Sequence, residues 1–150
     1  MSFSAIQSGR YGFEKQTTSA KKQIYGATMA LPDGRVFRYV ENGGTAIGEG
    51  LVVASEAPAG NHDEDLVVST SGSAGGTTIG VTLGGTAAAK NLYAEGYLFS
   101  NLASTTPHEM YKIKSHAAIA SSGSGTITID ETDGFQTAIT AGTDTVGLIK

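Results

Sequence analysis

Cysteine and tryptophan are absent from the 150 residues, and proline occurs three times. Without cysteine there are no disulfides, no thiolate metal ligands and no cysteine nucleophile. No apolar run approaches the roughly 20 residues of a membrane-spanning helix. Residues 1–22 contain no apolar stretch of signal-peptide length, which sets the expectation of synthesis in a cytoplasm or carriage on a particle that leaves one. Helical periodicity is missing too, because glycine and β-branched residues interrupt every window long enough to show a 3.6-residue repeat. Large apolar residues are scarce: Val, Ile, Leu, Met and Phe supply 34 of 150 positions, whereas Gly, Ala, Ser and Thr supply 72. Small domains already bury a low fraction of their surface, so a core this thin is expected to draw part of its stability from other subunits.

Charge is unevenly placed. The chain carries a formal net charge of −4, yet residues 1–22 hold Arg10, Lys15, Lys21 and Lys22 against Glu14 alone. They read as an extended basic arm attached to an acidic body formed by residues 23–150. A segment with this composition has no apolar stripe to bury and is expected to order on binding.

What the body does contain is strand signal. Leu31-Pro32-Asp33-Gly34 forms a turn signature, followed by near-strict alternation through Arg35-Val36-Phe37-Arg38-Tyr39-Val40. Val36, Arg38 and Val40 fall on one face of that strand, with Arg35, Phe37 and Tyr39 on the other. Short apolar runs follow at 51–53, 66–68, 77–83, 92–99, 110–114 and 126–129, each bounded by Gly, Pro, Asn or Asp clusters. Seven to eight turn-delimited strands predict an all-β sandwich or barrel with an extended N-terminal arm. Val146-Gly147-Leu148-Ile149-Lys150 reads as a further strand. It either adds to a sheet edge, its own or a neighbour's, or begins an element of a longer chain.

The residues that usually carry catalysis do not assemble into a motif. His108-Glu109 opens like the zinc-protease pattern, but position 112 is Lys where the second histidine belongs. His62-Asp63-Glu64-Asp65 offers nitrogen and oxygen ligands and reads as a solvated acidic loop before a strand. Asp130, Glu131 and Asp133 read as a charged hairpin tip. The glycine clusters at 71–76 and 84–85 lack the Gly-Lys pair of a phosphate loop and the strand-to-helix setting of a dinucleotide site, so they read as turns. No Ser sits in a G-x-S-x-G elbow. No cofactor, metal or enzymatic activity is expected.

Aromatic residues point to a contact surface instead. Phe3, Tyr11 and Phe13 lie in the arm, interleaved with Arg10 and Lys15, a combination suited to docking on a protein groove. The same residues are able to stack on single-stranded nucleic acid, but four basic residues make a thin phosphate footprint, so nucleic acid is not the expected partner. Whichever face of the 35–40 strand is not packed on the core, with Arg35, Phe37, Arg38 and Tyr39 as its dense features, is the second candidate contact surface. Tyr93, Tyr97, Phe99 and Tyr111 read as core or inter-sheet residues.

From about Met29 to Lys150, the phrases ALPDGRVFRYVENGG, GEGLVV, LYAEGYLFSN and MYKIKSH, set in abundant Gly, Ala and Thr, give a chain that resembles the head decoration, or cement, proteins of tailed bacteriophages. The resemblance rests on texture and short phrases. It implies a β-rich protein made in the bacterial cytoplasm and carried on the outer surface of the virion. There it would bridge neighbouring major capsid protein subunits, as a homo-oligomer, typically a trimer, with no catalytic residues. The alternative is a carbohydrate- or receptor-binding module of a phage tail or fibre. Exposed aromatics clustered on the body would mark the module, and aromatics concentrated in the arm would mark the strap.

Overall fold

A computed structural model describes residues 6–48, 50–101 and 108–150. Phe3 lies outside them. The protein is all-β, with nine strands in two sheets among the described residues. The chain divides into two compact units, Met1–Val53 and Ala54–Lys150. This division falls well beyond Lys22, so the 35–40 strand belongs to the N-terminal unit.

In the N-terminal unit, β1 (Gln7–Ser8), β2 (Thr28–Ala30) and β3 (Val36–Arg38) form a three-stranded sheet in that order. β1 pairs with β2 in parallel, and β2 with β3 antiparallel, placing Met29 opposite Phe37. The expected turn joins β2 to β3. Gly34 takes φ 85° and donates its N–H to the Leu31 carbonyl at 2.9 Å, a conformation that favours glycine. Strands β1 and β2 are too short and too weakly alternating to stand out in the sequence. Through β1, part of the expected free arm is paired within its own unit.

The second unit is a closed barrel of β4 (Leu66–Thr70), β5 (Thr78–Thr82), β6 (Tyr97–Asn101), β7 (Met110–His116), β8 (Ser124–Ile129) and β9 (Thr145–Ile149). Its order is β4-β5-β8-β7-β6-β9, antiparallel at every seam. Alternation explains how so small a core is built. Leu66 and Val68 of β4, Leu98 of β6, Tyr111 and Ile113 of β7, and Ile127 and Ile129 of β8 all point inward and are buried. Lys112, Lys114, Thr126 and Thr128 occupy the intervening, more accessible positions. Phe135 and Ile139, from the β8–β9 connection, join the same cluster. Register shifts between Val68 and Thr70 and between Ile113 and Ser115 add the bends that closure requires. Gly147 sits opposite Phe99, and a Cβ there would strike the Phe99 ring and the Asp63 carbonyl, so the strand closes the barrel only with glycine at this position.

Several sequence expectations are corrected. Leu51, Val52 and Val53 form no strand and are 64%, 99% and 61% exposed, because no sheet edge pairs with them. Residues 92–95 form turns, with Asn91 and Glu95 at positive φ, and the strand begins at Tyr97. Tyr93 is buried as expected, but Tyr97 is 40% exposed because it takes an outward position on β6. The 146–150 segment is an interior strand of this chain's own barrel, hydrogen-bonded to β4 on one side and β6 on the other.

Candidate interaction surface

Burial separates the two units sharply. Leu31 is the one apolar side chain buried among the described residues of the N-terminal unit. Ten large apolar side chains of that unit are exposed: Ile6, Tyr11, Phe13, Ile24, Val36, Val40, Ile47, Leu51, Val52 and Val53. Among the described residues of the barrel unit the corresponding ones are Val67, Tyr97 and Met110. Six basic residues face four acidic ones over residues 1–53, whereas residues 54–150 hold four basic and ten acidic residues. Accessible apolar area and an excess of basic charge therefore coincide in one unit.

Most candidate contact residues are positioned by β3. Tyr39 follows that strand and its ring stacks on Tyr25, with centroids 6.1 Å apart and planes 10° from parallel. Lys21 places its ammonium 4.3 Å from the Tyr25 centroid, a favourable cation–π distance. The Tyr39 hydroxyl accepts the Lys22 backbone N–H at 3.1 Å and lies 3.3 Å from the Thr18 hydroxyl. The Thr18 contact first, then the Lys22 N–H, pulls the Tyr39 phenol below its usual range. These contacts stitch residues 18–25 to β3, so Lys21, Lys22 and Tyr39 come together although the sequence placed them in separate elements.

Just before that strand, Arg35 bonds through Nε to the Asp33 carboxylate at 2.8 Å and lies 5.7 Å from the Phe37 ring. The Arg35 side chain, chiefly through this hydrogen bond, holds the Asp33 carboxyl below the ordinary carboxylate range. Arg38 donates to the Gly26 carbonyl at 3.1 Å and the Thr28 hydroxyl at 3.3 Å. Phe37 and Tyr39 are half-buried on one face of the strand, while Val36, Arg38 and Val40 are exposed on the other. The exposed face is thus the Val36 side, and Phe37 and Tyr39 serve mainly to hold the sheet. Arg10, Tyr11, Phe13 and Lys15 are exposed around a single 3-10 turn at Phe13–Lys15, where Glu14 caps the Gly12 N–H at 2.7 Å.

A polar cluster inside the barrel unit is not anticipated by the sequence. His62 is fully buried, although its acidic neighbours suggest a solvated loop; Glu64 and Asp65 do remain exposed. His62 Nε2 lies 2.7 Å from the Thr86 carbonyl. A carbonyl only accepts, so Nε2 carries the hydrogen, and in the neutral ring Nδ1 accepts from the Tyr93 hydroxyl. The Tyr93 backbone N–H in turn donates to His116 Nε2 at 3.1 Å, and His116 Nδ1 donates to the Ala117 carbonyl at 2.7 Å. The two imidazoles hold opposite tautomers around one tyrosine. Burial, then Asp63 and Glu56, pushes the Tyr93 phenol up. A second cluster joins Glu109, Tyr111, Gln136 and Thr137. Tyr111 donates to the Glu109 carboxylate, which also accepts the Thr137 hydroxyl at 2.9 Å, while the Gln136 N–H donates to the Tyr111 oxygen at 2.8 Å.

Both clusters are fully satisfied, since no buried side-chain nitrogen or oxygen among the described residues lacks a partner. Through these bonds they tie the segment before β6, β7 and the β8–β9 connection of the barrel unit together. No group of three or more His, Cys, Asp or Glu side chains among the described residues is placed to hold a metal ion. Comparison with protein-family models, with curated proteins and with solved structures gives no match to this chain.

Proposed function

We propose that this protein is a structural decoration protein of a tailed-phage head. In this reading it binds the outer capsid surface through its N-terminal unit, bridges neighbouring major capsid protein subunits as a homotrimer, and presents the barrel as a self-contained body. The observation that carries this reading is the segregation just described. One unit folds around a complete core, and the other keeps ten large apolar side chains and an excess of basic charge at its surface. The distribution of aromatics supports attachment over a carbohydrate-binding module. Tyr11 and Phe13 are exposed in the N-terminal unit, whereas Tyr97 is the one large exposed aromatic among the barrel's described residues. A lone tyrosine does not make a sugar-stacking platform.

Cosedimentation with empty capsids tests the reading. Replacing Arg10 and Lys15 with Glu and Tyr11 and Phe13 with Ala should reduce the bound fraction about tenfold or more, a loss of about 1.4 kcal/mol or more. Binding that remains should be less sensitive to added salt. All four residues are exposed, so thermal unfolding of the barrel should stay unchanged. Equal binding by the variant and the wild type at low and high salt would overturn the attachment reading.

A further inference from the structure

The closed barrel has no free sheet edge, but the three-stranded sheet does. Among the described residues β3 pairs with β2 alone. The Arg35 carbonyl accepts the Leu31 N–H at 2.9 Å, the Tyr39 N–H donates to the Ala27 carbonyl at 2.9 Å, and the Tyr39 carbonyl accepts the Gly26 N–H at 2.8 Å. Positions 35, 37 and 39 therefore direct their backbone groups toward β2, and by the two-residue period Val36, Arg38 and Val40 direct theirs outward. Exposed valines flank this edge, Val36 at 57% and Val40 at 70%. An edge of this kind is a template for another strand.

The same unit also carries a strand-like run that no sheet takes up. Leu51, Val52 and Val53 are an apolar, largely β-branched run, and no backbone hydrogen bond reaches them among the described residues. Val52 is 99% exposed. Leaving such a run in water forgoes apolar burial as well as strand pairing. Among the described residues no hydrogen bond pairs this run with β3, so the edge and the run are both vacant.

We propose that the 51–53 run of one copy adds to the outer edge of β3 in a second copy, and that this exchange joins the protomers. Each chain offers the outer edge of β3 and the 51–53 run. The contact is thus head-to-tail, a geometry that closes into a ring when the rotation permits. Apolar side chains lie on both partners: Val36 and Val40 on the edge, and Leu51, Val52 and Val53 on the incoming strand. The inference rests on the oligomeric part of the proposed function and not on the capsid partner.

The test uses the full chain. Val52→Pro removes a backbone donor from the exchanging strand, and because Val52 is almost fully exposed the protomer's own fold has no contact there to lose. Light scattering should show the wild-type mass falling roughly threefold to that of one chain, with unchanged circular dichroism and barrel melting. The absence of natural cysteine makes disulfide mapping clean. Protein carrying Val36→Cys mixed with protein carrying Val52→Cys should form the mixed disulfide in clear preference to either symmetric one.

The proposal is overturned if the wild type is a monomer or if Val52→Pro keeps the wild-type mass. It is also overturned if a Val36→Cys/Val52→Cys double variant closes its disulfide within one chain, or if β3 is protected only when capsids are present. Capsid attachment fails separately. A Val52→Pro monomer that still cosediments leaves strand exchange intact and removes its contribution to bridging, whereas an assembled wild type that ignores capsids retains the exchange and sinks the attachment.

Discussion

The barrel unit buries seventeen apolar side chains and the N-terminal unit one, among the described residues, although the two draw on the same glycine- and threonine-rich composition. The difference lies in closure. A sheet that curls onto itself turns every second side chain of six strands into one shared interior, so even a sparse supply of Ile, Leu and Val suffices. The three-stranded sheet, open rather than closed, gathers no such interior, and one leucine is buried among the described residues of its unit. Ordering its backbone costs about 1–2 kcal/mol per residue, and a buried leucine returns only about 1.5–3 kcal/mol. The barrel holds a core of its own, and the N-terminal unit leaves most of its large apolar side chains at the surface.

Four measurements would break or sharpen this contrast. The largest effect belongs to the barrel core. Leu98→Ala, at a fully buried β6 position, should lower stability by about 2–5 kcal/mol in chemical denaturation. Leu31→Ala, in the other unit, should leave the barrel transition where it is. If Leu31→Ala moved the barrel midpoint as far as Leu98→Ala, the two units would not be energetically separate.

Next is the tyrosine between the two histidines. Tyr93→Phe removes the hydroxyl that donates to the buried His62 Nδ1 and should cost about 1–3 kcal/mol, the penalty for an orphaned buried acceptor. It should leave the His116 contact, made by the backbone, in place. Nuclear magnetic resonance of the two imidazoles should then show the change confined to His62.

A smaller effect should appear in alkali. Burial, assisted by the hydrogen bond to Glu109, pushes the Tyr111 phenol up to about 12, against an ordinary value near 10. The folded state favours the neutral phenol, so this contribution is fully present below about pH 10 and is lost as pH rises through about 12. Barrel stability measured across that interval should fall, and Tyr111→Phe should flatten the decline.

The smallest effect is expected at the exposed apolar positions. Val40→Ser and Val52→Ser, measured on dilute single chains, should change stability by less than about 0.5 kcal/mol. A larger loss would mean that these side chains already have a partner within the chain.

Legibility in the sequence follows the same division. Pro32-Asp33-Gly34 announces its turn through local conformational preference. The β7 and β8 strands announce themselves because lysine and threonine alternate with isoleucine. Barrel closure was not readable, because β5 pairs with β8 and β6 with β9 across long stretches of chain, and no local pattern encodes those partners. Leu51, Val52 and Val53 have strand-like composition, but composition does not supply a neighbouring edge. His62 was misplaced for a related reason. Its acidic neighbours describe the exterior of the loop, whereas the burial of its ring is decided by Thr86 and Tyr93, both distant in sequence.

The seams around β9 also govern how the barrel is made. Leu66 is registered against Val146, and Tyr97 against Ile149. A nascent chain that has emerged only as far as β8 therefore holds β4 and β6 with open flanks and nothing to seal them. Contacts of such long sequence separation form slowly. Until β9 arrives, the growing polypeptide displays the open edges of β4 and β6, and the time spent in that state is the period in which chaperones and crowding neighbours have access to it.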